Sequence, residues 1–483
     1  MKKILFLGLL VVTALFLVSC GGDRTTDTSA KMVEWYELAA DANLDTTQNT
    51  TITFWHRMGA SSQLLVDQWI TEFEAIYPNI TVVEEKAAAD YTSLSDKIAL
   101  AIPAGTAPDI AESYPDHIAR YASANAPLAL NYFISNRSVI PGTDQIMGFT
   151  DDEIADFLPG LWAEGQSYDN AGTILSLPFT KSSEAFYYNA TYFAEHGYSV
   201  PTTWDEVFTI AEDIKSREPE AIPFGYDSED NLFITGSAQW DAPYTGYNAL
   251  TGQGEVQFNN DASKEMVKYF KDKLDRGLMI TRTLNGEAYS SDTFNTGEKL
   301  YMLVGSTGGT RYNVPSYTDA KTSFQVGVAP LPAKDATNRQ QIQQGPNINL
   351  FNNGDEQRMI AAWLFAKYMV SPEKTAEFSI PSGYAPVRYS AYETTLWTNY
   401  LNTIVTNPST KVEAQNKLVK EAIEIFLNND DIFFTSAVFN LSSKTRTEVG
   451  ALLVKILAFK GTQAEIDAYI DEQYQDSYDF ITN

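Results

Sequence analysis

The sequence predicts an α/β protein that is built from two lobes. About 430 residues follow the N-terminal leader and linker, which is more than one hydrophobic core usually organises. Residues 51–83 alternate strand, helix and strand, and residues 177–213 run from a strand through a turn into a capped helix. Together these three observations indicate two packed α/β units joined by a strand.

Residues 1–20 predict an export signal that is not part of the fold. Lys2 and Lys3 precede an apolar run over residues 4–18, which is too short for a comfortable membrane span. The end of this run, LVSC, resembles a bacterial lipoprotein cleavage site, which implies an acylated Cys20 and an extracytoplasmic, lipid-anchored protein on the periplasmic side or at the cell surface. The alternative is a plain signal peptide with an incidental cysteine. Residues 21–50 are rich in Gly, Thr, Asp and Ser and predict a flexible linker.

Charge and motif content exclude several classes of partner. The formal net charge of −28 would repel nucleic-acid phosphates, so we expect no nucleic-acid partner. The sequence has no GxxxxGK[ST] nucleotide loop, and no metal-ligand spacing joins His56, His117 and His196. We therefore expect no metal and no cofactor. The single cysteine excludes an internal disulfide.

The first strand of the fold is expected at residues 51–56. A helix follows over residues 61–77 and a second strand over residues 80–83. Because ligands in doubly wound sheets bind outside the carboxyl ends of the strands, this order places Trp55 and His56 at the edge of a cleft.

The stretch from residue 177 to residue 213 is expected to leave one unit and enter the other. Leu177–Thr180 is extended because the residue before a proline avoids helical geometry. A short helix over residues 191–197 can end at Gly197. Thr203 and Glu206 then form a predicted capping box, which starts a longer helix.

Several segments, in order, resemble one protein family. They are LPFTKSSEAFYYN with PTTWDEV, TITFWHRMG, AGTAPDI, YSSDTFNTGEKLYMLVGSTGG, FSIPSGYAPVR and GTQAEIDA, and they extend over roughly residues 50–480. The segments are similar to those of the extracellular solute-binding proteins of bacterial ABC importers, in the maltose-binding-like subgroup that takes up carbohydrates and glycerol phosphates. The resemblance implies the two-lobed periplasmic-binding-protein fold, with hinge-connected lobes and a helical C-terminal tail.

The resemblance also implies where the chain passes between the lobes. The first crossing is expected at Leu177 and the return near Leu331, in the segment FQVGVAPLP. The first lobe would then hold residues 51–178 and 333–385. The second lobe would hold residues 179–332 and 386–483.

A set of candidate ligand contacts follows from the strand ends and from the family pattern. Its aromatic members would cover apolar faces of a sugar, and its polar members would bond ligand hydroxyls or a phosphate. The set is Trp55, His56, Glu112, Tyr114, Ser182, Ser183, Asp230, Trp240, Ser306, Gly308, Asn347, Tyr384 and Arg388.

Some of these assignments have structural alternatives. The loop that carries Glu112 and Tyr114 is equally compatible with a solvated connection, and Arg388 is equally suited to bracing its own loop. Two departures from the family pattern concern the solute. Gly345-Pro346-Asn347 stands where a double glycine is common, and the glycine loop at Ser306–Gly308 lacks a frequent tryptophan.

The expected function is capture of a sugar or glycerol-phosphate solute between the lobes and its delivery to an ABC permease, by a protein that acts as a monomer. Two other classes share export, acidity and aromatic content. A glycoside hydrolase needs a defined pair of carboxylates, which no local motif selects, and neither GxSxG nor HExxH is present. A surface adhesin would have no small-molecule cleft.

Overall fold

The computed structural model describes residues 38–39, 41–169, 171–249, 251–319 and 322–483. The expected signal, Cys20 and most of the expected linker lie outside these residues. None of the described helices is long and apolar enough to cross a lipid bilayer.

The part of the chain before the first crossing holds four strands and six helices among the described residues. They are β1 (Thr50–His56), α1 (Ala60–Ile76), β2 (Ile80–Lys86), α2 (Tyr91–Ala104), β3 (Ile110–Ser113), α3 (Pro115–Ala122), α4 (Asn131–Ser135), α5 (Asp151–Ala155), α6 (Pro159–Glu164) and β4 (Leu177–Pro178).

The middle of the chain forms most of the second sheet and its helices. Its elements are β5 (Ser182–Asn189), α7 (Ala190–His196), α8 (Trp204–Arg217), β6 (Phe224–Tyr226), α9 (Glu229–Gln239), β7 (Thr245–Tyr247), β8 (Gly254–Val256), α10 (Asp261–Asp275), β9 (Met279–Thr281), α11 (Ser290–Phe294), β10 (Met302–Ser306), β11 (Val326–Ala329) and β12 (Gln341–Gln344).

The last part returns to the first sheet and ends in helices. Its elements are β13 (Asn347–Leu350), α12 (Glu356–Met369), α13 (Pro372–Ser382), α14 (Thr395–Leu401), α15 (Lys411–Asn428), β14 (Phe433–Phe434), α16 (Ser442–Ala458) and α17 (Gln463–Thr482). Short 3₁₀ turns lie at Thr283–Asn285, Thr307–Asn313, Tyr389–Glu393 and Asp430–Ile432.

Two separate sheets, each with its own hydrophobic core, form two lobes. The first sheet has the order β2-β1-β3-β13-β4, with β1 parallel to β2 and β3 and with β13 antiparallel to β3 and β4. The second has the order β14-β12-β5-β10-β6-β9, and β11 also pairs with β5. The core of the first lobe includes Trp69 and Trp363, and that of the second includes Trp204 and Phe270. The predicted two-lobed α/β fold is confirmed.

Local predictions from turn and cap chemistry agree with the structure. Thr203 and Glu206 form the reciprocal capping box at the start of α8. Gly197 ends α7 in the left-handed conformation, with φ of 73°. Thr462 and Glu465 form a second capping box at the start of α17.

The chain changes sheets three times among the described residues. The first two changes lie at adjacent places, and the third lies between β13 of the first sheet and β14 of the second. Strand β4 leads into β5 through residues 179–181, and β12 leads into β13 through Gly345 and Pro346. A Cβ on Gly345, whose φ is 99°, would lie 2.0 Å from the carbonyl oxygen of Thr180. Only glycine therefore allows the two crossing segments to approach so closely.

The expected return near Leu331 is a turn within the second lobe. Pro330 and Pro332 end β11, but the following loop leads into β12, where Gln343 pairs with Ser183 of β5. Two proline breaks signal the end of a strand without indicating which sheet the chain enters next, and here the chain passes to the first sheet only after β12. Beyond the other expected boundary, at 385/386, Arg388 and Ser390 bond Asp156 of the first lobe.

Candidate functional site

A cleft of about 740 Å³ lies between the two lobes. The first lobe lines it with Asp90, Tyr91, Thr92, Tyr114 and His117. The second lobe and the crossing line it with Ser228, Glu229, Asp230, Asn231, Thr283, Gln344, Ser443, Arg446, Thr447, Gly450, Ala451, Val454 and Lys455. Hydroxyl, carboxylate, amide and aromatic groups therefore converge on one space from both sides.

A smaller recess of about 60 Å³ shares Tyr114, Gln344 and Arg446 with this cleft. It also contacts Glu164 and Gly345, so it leads from the cleft toward the crossings. The side-chain nitrogen of Gln344 is buried without a hydrogen-bond partner among the described residues. Because an unpaired buried amide is costly, this nitrogen is available to a bound molecule.

Aromatic rings form the wall of the cleft on the first lobe. The ring centroids of Tyr91 and Tyr114 lie 4.6 Å apart, and the ring of Tyr114 lies 5.6 Å from that of His117. Tyr91 begins α2, which Asp90 caps by accepting from the amide of Ser93, and Tyr114 follows β3 directly. The two rings thus stand at the carboxyl edge of the first sheet, where parallel strands expose ligand sites.

The second lobe contributes a cluster of charged and amide groups around Arg446 of α16. Arg446 Nε lies 2.8 Å from Asp230 Oδ2, and its Nη2 donates to Asn231. Its guanidinium carbon also lies 5.8 Å from the ring centroid of Tyr114 in the first lobe. One cation therefore contacts groups of both lobes across the cleft.

Glu184 lies behind this cluster on β5. It is 1% exposed and accepts a hydrogen bond of 2.7 Å from the hydroxyl of Tyr226. Burial raises the pKa of Glu184 to about 8, although Tyr226 and Arg446 act in the opposite direction. The side chain is therefore held protonated at neutral pH.

Arg57, directly after β1, lies against the rings of the first lobe. Its guanidinium carbon is 4.3 Å from the centroid of Tyr91, and its Nη2 lies 3.2 Å from the hydroxyl of Tyr91 and 3.5 Å from that of Tyr384. The backbone amide of Arg57 donates to Glu112 at 2.5 Å. Burial opposes the charge on the guanidinium, but Tyr91, Tyr384 and Glu112 raise the pKa of Arg57 above its ordinary value.

Lys181 ties the two crossing segments together. Its fully buried ammonium donates to Glu164, to the carbonyl oxygen of Gly345 at 2.8 Å and to Asn347 Oδ1 at 2.9 Å. Glu164 in turn accepts from Gln343 of β12 at 3.1 Å. We call Lys181, Glu164, Gly345 and Asn347 the crossing clamp.

Of the residues expected from the sequence, two line the cleft and others lie nearby. Tyr114 and Asp230 line the cleft, while Glu112 and Tyr384 contact Arg57 behind Tyr91. The remaining residues of this group lie at the crossings, at the end of β10 or in the 3₁₀ turn that follows it. They are Ser182, Ser183, Ser306, Gly308 and Asn347.

Four expected residues have other roles in this structure. Trp55 packs in a small first-lobe cluster under Lys97, whose Nζ lies 4.4 Å from its ring. His56 is buried, accepts from the amide of Met58 and bonds Glu84. Trp240 belongs to the core of the second lobe. These side chains pack against neighbouring residues within their own lobes. The position of a residue at a strand end, or in a family segment, does not indicate the direction in which its side chain points.

The fourth residue is Arg388. Its contacts agree with the alternative given above, that Arg388 stabilises its own loop. Its Nε lies 2.7 Å from Asp156, and its Nη2 donates to the backbone oxygen of Glu153. The guanidinium also lies over the ring of Phe157. Arg388 is thus 4% exposed, and its charge is paired with the carboxylate of Asp156.

Sequence reasoning missed Tyr91, Arg446, Glu184 and Arg57. For Tyr91 the sequence offered one clue, because Asp90 is a favourable N-cap residue and Tyr91 follows it as the first residue of a helix. Arg446 lies on a C-terminal helix, more than 200 residues from Asp230, and no local pattern joins such a pair. Among the described residues no group of three His, Cys, Asp or Glu side chains is placed to hold a metal ion.

The raised pKa of Glu184 predicts a pH dependence of stability. Between about pH 4.5, the ordinary pKa of this group, and about pH 8, the folded state holds a proton that the unfolded state has lost. The free energy of unfolding therefore falls as the pH rises through this window. The variant Glu184→Gln keeps an oxygen that can accept from Tyr226. Urea denaturation at pH 5 and pH 8 should show a smaller fall in the free energy of unfolding for this variant than for the wild type.

The matched control is Glu195→Gln, because Glu195 is an exposed glutamate of α7. This variant should show the same difference in the free energy of unfolding between pH 5 and pH 8 as the wild type. An unchanged difference in Glu184→Gln would show that Glu184 is ionised in the folded protein.

Comparison with known proteins identifies the family of this fold. Residues 68–403, more than half of the chain, match the family described as "Bacterial extracellular solute-binding protein". The sn-glycerol-3-phosphate-binding periplasmic protein UgpB of Rhizobium meliloti (strain 1021) is 27% identical over 365 residues, which cover 72% of this chain and 77% of the relative. The protein of the same name from Escherichia coli K12 is 24% identical over 360 residues, covering 72% and 76%.

Solved structures show the same architecture. UgpB from Mycobacterium tuberculosis, in complex with glycerophosphocholine, superposes with a TM-score of 0.69 at 20% identity and covers 89% of this chain and 98% of that one. The GacH receptor of Streptomyces glaucescens gives a TM-score of 0.66 at 19% identity, covering 89% and 99%. With the family match over more than half of its length, this chain belongs to the bacterial extracellular solute-binding proteins, whose members serve ABC importers as binding proteins and not as enzymes.

Proposed function

We propose that this protein captures a sugar or glycerol-phosphate solute in the cleft between its lobes and delivers it to an ABC importer from a lipid anchor. The observation that carries the proposal is the cleft of about 740 Å³ with Tyr91 and Tyr114 on one side and Asp230 and Arg446 on the other. Pockets of this size, with rings and a few convergent polar groups, suit small polyhydroxylated ligands. The names of the relatives agree with this class.

The cleft couples solute binding to the relative position of the lobes. A solute between Tyr114 and Asp230 would contact both lobes at once, so it favours the arrangement in which they are close. The change in angle would be taken up at the two adjacent crossings, beside Gly345 and the crossing clamp, and at the third passage between β13 and β14. We infer that the lobes divide at these crossings, with residues 341–344 in the second lobe and residues 347–401 in the first.

Several residues have defined parts in this mechanism. The rings of Tyr91 and Tyr114 would cover apolar carbon faces of the solute. The carboxylates of Asp90, Glu229 and Asp230 would accept hydrogen bonds from its hydroxyl groups. The unpaired side-chain nitrogen of Gln344 would donate to a solute oxygen at the end of the cleft nearest the crossings.

Titration calorimetry against a panel tests this proposal. The panel contains maltose, sn-glycerol 3-phosphate and glycerophosphocholine, with free glycerol as the small neutral control. At least one of the first three should bind with a Kd in the micromolar range or tighter. Absence of heat with all three, together with an unchanged melting temperature in their presence, would contradict the proposal.

Gly308 is not among the residues that line the cleft, so it offers a test of lobe closure. A Cβ on Gly308, in the second lobe, would lie 2.7 Å from the ring of Tyr384, in the first lobe. Gly308→Ala should therefore hold the lobes apart and raise the Kd of the best panel compound by about tenfold, equivalent to about 1.4 kcal/mol. The measurements are calorimetry and the radius of gyration from small-angle X-ray scattering.

Gly309→Ala is the matched control, because a Cβ at Gly309 meets no atom within 4 Å. This variant should bind like the wild type. Equal affinities in all three proteins would show that the contact between Gly308 and Tyr384 is not part of the closed state.

The lipid anchor is proposed from the leader alone, and Cys20 lies outside the described residues. In a bacterial host with lipoprotein processing, the wild-type protein should take up a labelled fatty acid and sediment with membranes. Cys20→Ser should be unlabelled and soluble. Labelling of both proteins, or of neither, would exclude acylation at Cys20.

We also propose that the soluble form acts as a monomer, since each chain supplies both walls of its cleft. Native mass spectrometry should show one chain per particle. A stable dimer at micromolar concentration would contradict this.

A further inference from the structure

The segment between β14 and α16, residues 435–441, contacts both lobes. Its consecutive residues Val438 and Phe439 are only 7% and 1% exposed. Val438 belongs to a hydrophobic cluster whose other members, among them Ile118 of α3 and Tyr168, all lie in the first lobe. Phe439 belongs to the core of the second lobe. Two neighbouring side chains of one segment are thus buried in opposite lobes.

The small hairpin of β7 and β8, which forms its own two-stranded sheet in the second lobe, holds this segment in place. A Cβ on Gly254 of β8 would lie 2.2 Å from the ring of Phe439, so glycine lets the ring pack directly against the strand. In β7, the hydroxyl of Tyr247 donates to the carbonyl oxygen of Val438 at 2.6 Å and accepts from its amide at 3.1 Å. The hairpin therefore fixes the backbone of the segment while Val438 extends into the first lobe.

Tyr247 also contacts the first lobe directly. Its hydroxyl lies 3.1 Å from the carbonyl oxygen of Ser167 and donates to it. Tyr247 is 41% exposed and is not among the residues that line the cleft or the recess. Its hydrogen bond and the burial of Val438 therefore join the lobes through protein groups alone. We call these contacts of Tyr247 and Val438 with the first lobe the interlobe contact.

We propose that the interlobe contact keeps part of the solute-free population closed and thereby sets the affinity of the cleft from residues outside it. This inference rests on the proposed function and adds a control of the same site. Separation of the lobes would return Val438 and the apolar groups around it to water, which is unfavourable. It would also break the hydrogen bond between Tyr247 and Ser167. Contacts that exist in only one of two arrangements favour that arrangement, with or without a ligand.

The affinity follows from the closed share of the population. A solute that needs both walls of the cleft binds the closed arrangement, so its apparent Kd is the intrinsic Kd divided by the closed fraction. Loss of the interlobe contact lowers this fraction and raises the apparent Kd. It does so without removing any group that touches the solute.

Tyr247→Phe tests this inference, because it removes the hydroxyl that bonds Ser167 and Val438 and keeps the ring. The radius of gyration of the solute-free protein, from small-angle X-ray scattering, should increase. The Kd of the panel compound that binds best should rise by about threefold to tenfold, as expected for the loss of one hydrogen bond. Val438→Ala, which removes two methyl groups from the first-lobe cluster, should change both quantities in the same direction.

Tyr312→Phe is the matched control, because Tyr312 is a tyrosine of the second lobe that is 74% exposed. This variant should keep the wild-type radius and the wild-type Kd. Circular dichroism melts check that each variant is folded. If Val438→Ala is not folded, Tyr247→Phe decides, since its ring is half-exposed and stays in place.

The outcomes separate this inference from the proposed function. An unchanged radius of solute-free Tyr247→Phe would overturn the interlobe contact as a control of closure, whatever its Kd, and would leave the proposed function standing. An increased radius with an unchanged Kd would overturn the link to affinity. Absence of binding to the whole panel would contradict the proposed function, and the radius of the solute-free variants would still test the interlobe contact.

Discussion

The buried ammonium of Lys181 holds together two of the three segments by which the chain passes between its lobes. It bonds the backbone of Gly345 on the other crossing and the carboxylate of Glu164 in the first lobe. Removal of one partner from a buried ion pair typically costs about 3–5 kcal/mol, because the other charge is left without compensation. The lobes can therefore change their angle only about a junction that itself stays intact, which is what a hinge requires.

The rest of the site depends on this junction because cleft residues come from both sides of it. Tyr91 and Tyr114 stand at the carboxyl edge of the first sheet, while Asp230 and Arg446 belong to helices of the second lobe. Glu184, whose pKa is raised by burial, lies on β5, the strand that leaves the crossing. In the proposed mechanism, these few residues around β5 link the solute contacts and the charge balance of the cleft to the angle between the lobes.

The fold was largely predictable from the sequence, because local chemistry determines its elements. The capping box at Thr203 and the left-handed Gly197 both appear where they were expected. The site was less predictable, because its geometry depends on contacts across long sequence separations. Arg388 lies in a segment that resembles the family pattern, yet it forms an ion pair with Asp156, which follows α5 more than 200 residues earlier in the chain. In the same way, Arg446 meets Asp230 through tertiary packing that leaves no local pattern.

The most direct test is the distance between the lobes with and without solute. Spin labels at Leu100→Cys in α2 and Lys444→Cys in α16, two exposed positions on different lobes, can be introduced in a Cys20→Ser background. Double electron–electron resonance should show that the mean distance between the labels shortens by several ångströms when the panel compound that binds is added at saturation. An unchanged distance at saturation would contradict the claim that solute capture closes two lobes about the crossing clamp.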